Sequence, residues 1–478
     1  MFKRMLVLSL VVSLACLVAS CSTGFSLDSM LSRGQQQEVD QANPPSTEQG
    51  NPPPPNPGNP PPNPDDPPPP PPNPDDPKPP KDPDDPKPPK PPNEPGEIPE
   101  KYSIDQAISD NAQLHTIAFS ALAFFTGDLG SDSFFPPGKV SDFFSFQYLR
   151  DVDEGEMGHN TSFLTKIANN VLAILTDQQL EQLKQLAQQQ AQTFEQYALD
   201  RFPLMAAFRR LQAQDLPAGT TGLSKQAVAS YSEELYVLDG TLAYDRAQLV
   251  GSIIHGMTQE QKAALDRLNT GNSNDWPVLE DQLDKRSLSH TEHVLVMTYA
   301  SELFSWYAGD EESDTYFCPE RHGTYFGAFF MKDMPAMGNP DYTIETGLTG
   351  DKGAQMLEVM NEEQQQRITG LVDVQKANLL QIVDVRRQMS SLLREFLQGN
   401  TPDRNQFMRL AKRYGKLDGE NVYHYATRFA EVFQSLSTEQ RDELYVLRDL
   451  EGYSADGAFL YSEPIAMPHI IDSDFLFE

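Results

Sequence analysis

Two stretches of the sequence resemble each other: LYVLDGTLAYDRAQLV at residues 235–250 and YGKLDGENVYHYATRF at residues 414–429. They align without a gap at an offset of 179, and this alignment extends from Ser224–Leu268 onto Asp403–Leu447. About nine of the 45 aligned positions are identical, and apolar positions also match. This pattern is typical of an internal repeat, which is best sought before the fold class is assigned.

Further matches follow in the same order along the chain. Gln179, Gln190, Arg201 and Arg209 match Gln364, Gln375, Arg386 and Arg394 at an offset of 185. We therefore expect an internal duplication, with a first repeat at residues 104–273, a second at 288–455 and a C-terminal tail at 456–478.

The apolar residues of each half recur at intervals of three and four, as in an amphipathic helix, and no segment shows sustained period-two alternation. We predict helices over 104–125, 162–175, 176–211, 225–256 and 258–268, with a kink at Pro203 and an interruption at Gly240. The predicted class is all-α: two tandem helical bundles, antiparallel within themselves and packed around a pseudo-twofold axis.

The N-terminus has the order expected of a lipoprotein signal. Lys3 and Arg4 precede an apolar run too short to remain as a spanning helix, and small residues lead to Cys21. The end of this run, Val-Ala-Ser-Cys, resembles the bacterial lipobox, which implies a signal peptide at residues 1–20 and a lipid on Cys21. In proteobacterial lipoproteins a residue other than Asp after the cysteine, here Ser22, implies sorting to the outer membrane. A plain secretory signal is the alternative.

Residues 21–43 are expected to form a tether, and residues 44–100 a stalk. The chain has 40 prolines, of which 29 lie between Pro44 and Pro99. Proline fixes φ and lacks an amide donor, so this segment favours extended polyproline II over helix or sheet. A spacer is the preferred interpretation, and a ligand for proline-recognition modules is the alternative.

Charge and cysteine content exclude several classes of protein. The formal net charge of −32 argues against nucleic acid as a partner, because binding phosphates needs clustered Lys and Arg. Once Cys16 leaves with the signal and Cys21 carries lipid, Cys318 is the only thiol, so neither an intramolecular disulfide nor a multi-cysteine zinc site can form. The sequence also contains no Gly-x-Ser-x-Gly, no phosphate-binding loop and no His-Glu-x-x-His.

A helix-start pattern occurs four times, at Thr176, Thr258, Asn361 and Ser437, each followed three residues later by Gln. A capping box explains it: the first side chain caps the helix and the Gln reaches back to the backbone amide. The pattern also resembles the Leu-Thr-x-x-Gln motif of the Spy/CpxP family of envelope stress proteins. That resemblance, which covers about twenty residues, implies an all-α chaperone or stress sensor.

Three further sets of residues are candidates for function. Imidazole, thiolate and carboxylate groups favour transition metals, and the candidate ligands are Glu156, His159, His290, His293, Cys318 and His322. Acidic segments near residues 127–132 and 309–314 could offer oxygen ligands to Ca²⁺ or simply end helices. The candidate ligand-binding residues are the paired Arg201 and Arg386, Asp239 and Asp418, and Tyr244 and Tyr423, with Phe143 and Tyr325 from aromatic loops at 134–148 and 316–330.

The paired polar residues admit two interpretations. Buried arginines need carboxylate partners, so Asp239 and Asp418 could form internal ion pairs with them. Alternatively, the set could line a polar groove between the halves, covered by the aromatic loops. The leading functional hypothesis is a non-enzymatic binding or scaffold role for a lipid-anchored envelope protein with a protein or small-ligand partner; a metal-dependent envelope enzyme and a Spy/CpxP-like chaperone are the alternatives.

Overall fold

The computed structural model describes residues 103–126, 162–272, 275–284, 286–318 and 352–448, the C-terminal residues 471–478, and short segments at 323–324, 334–336, 339–344, 458–460 and 463–466. Helices dominate these residues, so the predicted all-α class is confirmed. The helices of the first half are α1 Ile104–Ala107, α2 Asp110–Thr126, α3 Ser162–Leu172, α4 Asp177–Asp200, α5 Phe202–Ala213, α6 Lys225–His255 and α7 Gln259–Leu268. Those of the second half are α8 His290–Ala308, α9 Glu311–Tyr316, α10 Lys352–Val359, α11 Glu362–Thr369, α12 Leu371–Arg394, α13 Arg404–Ser435 and α14 Thr438–Arg448.

Short strands accompany the helices, and 3₁₀ turns form at Glu395–Gln398 and Asp474–Leu476. The strands are β1 Gly271–Asn272, β2 Phe317–Cys318, β3 Gly323–Thr324, β4 Met334–Ala336, β5 Asn339–Ile344, β6 Ala458–Leu460 and β7 Glu463–Ile465. β5 pairs with β1 in parallel and with β4 antiparallel, while β2 with β3 and β6 with β7 form antiparallel pairs.

The four predicted capping boxes all form. Thr176, Thr258 and Asn361 each accept the backbone N–H of a Gln three residues on, and that Gln accepts the cap residue's own N–H. Ser437 makes the same reciprocal pair with Gln440, at 3.2 and 3.1 Å. The repeated pattern therefore fixes the first turns of α4, α7, α11 and α14.

The long helices behave differently at their glycines Gly240 and Gly370. α6 runs without a break through Gly240, so the predicted interruption there is wrong. In the second half α11 ends at Thr369, and α12 begins directly after Gly370. The expected kink near Pro203 is present as a helix boundary at Arg201, between α4 and α5.

Gly240 is needed for close packing of α6 against α13. A Cβ on Gly240 would lie 2.7 Å from the Ala411 Cβ, and a Cβ on Gly419 would lie 2.6 Å from the Ser232 Cβ. At the offset of 179 these two contacts are equivalent, because Gly240 aligns with Gly419 and Ser232 with Ala411. Helices approach this closely only where a side chain is missing.

The first long helix of each half packs on the other half. α2 lies against α10, α11, α12, α13 and α14, whereas α8 lies against α3, α4, α6 and α7. The helices of the two halves are therefore intermixed in the packing. The buried apolar side chains form a single core that includes residues of every long helix.

The C-terminal residues pack on the first half. The Glu478 N–H donates to the Gly222 oxygen at 3.0 Å, and Leu223 forms an isolated antiparallel bridge with Phe477. Arg210 donates to the Asp474 carboxylate at 2.6 Å. The last residues of the predicted tail are thus part of the fold.

Candidate functional site

Arg386 and Asp418 belong to one buried cluster between α9, α12, α13 and α6. The Arg386 guanidinium donates to the Thr315 and Asp314 backbone oxygens, at 2.7 and 2.9 Å, and to the Tyr414 hydroxyl at 3.2 Å. The Tyr414 ring lies 4.6 Å from the Tyr236 ring, centroid to centroid.

This cluster links the two halves of the chain. The Tyr236 hydroxyl, from α6, donates to the Asp418 carboxylate of α13 at 2.7 Å. Arg386 is 4% exposed and Asp418 is fully buried. These side chains therefore stabilise the contact of α6 with α13.

The acidic segment before and within α9 is held by arginine and by helix capping. Arg394 binds both carboxylate oxygens of Asp314, with distances of 2.5 and 2.8 Å, and Ser390 donates to the same carboxylate at 2.7 Å. Asp310 accepts the Ser313 N–H at 2.7 Å. This use of the carboxylates favours a structural role for the segment over a Ca²⁺ site.

A second buried polar cluster, which sequence reasoning missed, joins α4 and α6 of the first half to α8 of the second. Arg246 of α6 forms an ion pair with Glu302 of α8, and both side chains are at most 3% exposed. Burial raises the pKa of Tyr299, so its hydroxyl stays protonated and donates to the Gln190 amide oxygen at 2.6 Å. The only sequence signal was an acidic residue, Glu302, within the apolar run of α8.

Arg201 and Asp239 are also buried, with 1% and 2% exposure. Arg201 lies at the junction of α4 and α5, and Asp239 in the middle of α6. Like Arg386 and Asp418, they lie inside the helix packing, so none of the four lines an open groove. Their burial favours a structural role within the helix packing over a ligand groove at these residues.

The two paired tyrosines have different surroundings. Tyr244 is buried, donates to the Pro402 oxygen at 2.7 Å and packs on the rings of Phe396 and Phe407. Tyr423 is partly buried, with its ring 5.2 Å from the His424 ring. Tyr244 therefore has a packing role.

The predicted metal ligands are only partly described. His290 is exposed at the start of α8, and the His293 Nε2 lies 3.0 Å from an Asp281 carboxylate oxygen. Within the described residues, no three His, Cys, Asp or Glu side chains are grouped as a metal site would need. Cys318 ends β2. The remaining candidates, Phe143, Tyr325, Glu156, His159 and His322, lie outside the described residues.

A surface depression lies where α11 meets α12, beside α13. Its volume is about 230 Å³, and it contains two arginines beside apolar side chains. Its lining residues are Glu363, Gln366, Arg367, Gly370, Leu371, Val374 and Arg428. Neither the depression nor its arginines were singled out from the sequence, because the residues come from separate segments.

The chain matches no protein-family model, and no curated protein or solved structure is significantly similar to it. The lipobox and Spy/CpxP resemblances therefore remain predictions from the sequence.

Proposed function

We propose that the protein is a lipid-anchored component of the bacterial cell envelope, at the outer membrane, with a non-enzymatic binding or scaffold role for its helical core. The observation that carries the anchor is the order of basic residues, apolar run, small residues and Cys21. Each buried acyl methylene contributes about 0.8 kcal/mol to membrane affinity, so a multiply acylated cysteine is a durable anchor. None of the helices in the described part of the chain has the length and apolar composition to cross a membrane.

A binding role is supported by what the buried polar groups do. Asp418 and Glu302 bind Tyr236 and Arg246 inside the helix packing and so join the two halves. Arg386 makes its contacts inside the packing of the second half. Catalytic groups, in contrast, are found in clefts that a substrate can enter. The depression beside Arg367 is the kind of feature that a binding role needs.

Membrane fractionation and labelling with a palmitate analogue test the anchor. Cells would express the full chain, Cys21→Ser, or the matched controls Cys16→Ser and Cys318→Ser. Cys21→Ser should abolish labelling and release the protein from salt-washed membranes, whereas both controls should behave like the parent. Retention of unlabelled Cys21→Ser in the membrane pellet would refute lipid anchoring.

Elemental analysis of the full chain tests the non-enzymatic role against the metal hypothesis. The protein would be purified without chelators. Stoichiometric zinc, copper, nickel or iron that is lost in a His293→Ala variant would overturn a binding-only role. We expect substoichiometric metal in both proteins, because the described residues contain no group of three His, Cys, Asp or Glu side chains that could hold a metal ion.

A further inference from the structure

The depression between α11, α12 and α13 combines two guanidinium groups with an apolar wall. Arg367 and Arg428 approach the same oxygen of Glu431, at 3.4 and 3.1 Å, and Arg367 also pairs with Glu363 at 2.9 Å. Leu371 is buried at the start of α12, while Val374, one turn further on, is 46% exposed. A charged head group and an aliphatic group could therefore be held side by side.

The ion pairs around the depression are exchangeable. The Arg367, Arg428 and Glu431 side chains are each about 40% exposed, and ion pairs between exposed side chains add little to stability. Arg428 uses a single nitrogen, Nη1, for its hydrogen bond within the described part of the chain. An incoming carboxylate could therefore bind between the two guanidiniums, where paired N–H donors match its geometry.

The first half provides an internal comparison for this surface. At the offsets that relate the halves, Gln182, Gln185, Gln189 and Leu249 occupy the positions of Arg367, Gly370, Val374 and Arg428. α4 runs continuously through Gln185, whereas at the equivalent position Gly370 separates α11 from α12. The same type of helix pair thus forms without the arginines, the glycine or the valine, so packing alone does not require them.

The size and overall charge limit what could bind. The volume of about 230 Å³ is below the roughly 300–1,000 Å³ of pockets for drug-sized ligands. The chain carries a net charge of −32, so its overall charge does not attract anions from a distance. Affinity for an anion must come from direct contacts with Arg367 and Arg428.

We propose that this depression binds a carboxylate carried by a short aliphatic group, either a small organic acid or the same group at the end of a peptide. The carboxylate accepts hydrogen bonds from Arg367 and Arg428 in place of Glu431, and the aliphatic group covers Val374. This inference deepens the binding role proposed above and rests on it. Its test is independent of the Cys21 experiment, so the anchor and the pocket can fail separately.

The test is a titration of the full chain with methyl-labelled leucine and valine, followed by NMR at Leu371 and Val374. The probes are isovalerate, its neutral amide, and the peptide N-acetyl-alanyl-valine. The variant is Arg367→Gln with Arg428→Gln, and the matched control is Arg409→Gln. Arg409 is exposed on the same helix as Arg428, about 28 Å away along the axis.

Isovalerate should shift the two methyl signals saturably, and the amide should not. The double variant should weaken binding about tenfold or more, equivalent to about 1.4 kcal/mol, and Arg409→Gln should leave it unchanged. Binding of the peptide but not of isovalerate would support the same site with a peptide as the source of the carboxylate. No saturable shift with either acid, or equal affinity in the double variant, would overturn the proposal.

Discussion

Gly415 is the position at which the close packing of α6 and α13 is most open to test. A Cβ added there would lie 2.6 Å from the Tyr236 Cβ, 2.8 Å from the Ser232 backbone oxygen and 2.9 Å from the Glu233 Cα. Two of these three atoms belong to the α6 backbone, so no side-chain rotation can relieve the overlap. Gly415→Ala therefore requires the two helices to move apart.

The expected size of the effect is the difference between two terms. Alanine in place of glycine inside a helix adds about 1 kcal/mol of stability, while overpacking a well-packed core costs about 1–3 kcal/mol. Because backbone atoms are involved, the overpacking should be at the upper end, so Gly415→Ala should destabilise the fold by about 2 kcal/mol. Gly240→Ala should cost less, because its overlap is with the single Cβ of Ala411 and the Met408 side chain beside it is flexible.

Urea unfolding of the full chain, followed by far-ultraviolet circular dichroism, measures both effects. The matched control is Gly256→Ala at the C-terminal end of α6, where an added Cβ would come no closer than 3.4 Å to another heavy atom. We expect the midpoints to fall in the order Gly256→Ala, Gly240→Ala, Gly415→Ala. If Gly415→Ala unfolds at or above the midpoint of Gly256→Ala, the close approach of α6 and α13 is wrong.

The other predictions concern buried and capping groups, all measured by urea midpoints of the full chain. Glu302→Gln leaves the buried Arg246 charge without the Glu302 carboxylate and should lower the free energy of unfolding by about 3–5 kcal/mol. The double variant Arg246→Met with Glu302→Leu should recover most of that stability. Equal losses of stability in the two variants would contradict the buried ion pair. Gln440→Ala and Gln261→Ala should each lower the free energy of unfolding by about 1–2 kcal/mol. Each Gln side chain completes one capping box and also hydrogen-bonds the Gln of another capping box. Unequal losses of stability would argue against equivalent roles. Burial lowers the pKa of His424 from its ordinary 6.5. Just below that pH the unfolded chain binds a proton at His424 that the folded chain does not. Stability should therefore fall as the pH drops through about 6.5. His424→Gln should make that fall smaller, and an identical pH dependence would refute the assignment.

Local structure was largely predictable because it depends on neighbouring residues. The four helix starts follow from an N-cap side chain and a Gln three residues on, and all four form. Gly240 shows the limit of this reasoning. A glycine lowers helix propensity by about 1 kcal/mol. In α6, however, the missing side chain lets α13 approach closely, and the local sequence does not reveal this tertiary contact.

The candidate site was less predictable, because burial depends on tertiary contacts. The internal repeat singled out Arg386 and Asp418 as polar residues with counterparts in the first half. Only the structure shows that Tyr414 and Tyr236 join them in one buried cluster. The depression beside Arg367 also depends on tertiary contacts, so the sequence did not predict it. Arg428 lies on α13, about sixty residues further along the chain, and no spacing rule brings it to the break at Gly370.

The packing of α2 on the second half and of α8 on the first half shows why helix patterns do not determine which helices pack together. The apolar residues of α2 predict a buried helix but do not say which helices bury it, because both halves offer similar apolar faces. Chain connectivity does not decide either, since the 35 residues between Thr126 and Ser162 could span up to about 120 Å when extended. Direct side-chain contacts determine which helices surround α2. The Gln375 amide donates to the Gln113 amide oxygen at 2.8 Å, and the Gln375 oxygen accepts from the Tyr425 hydroxyl. These contacts tie α2 to α12 and α13, so the packing of each half needs helices of the other, and neither half is expected to fold alone.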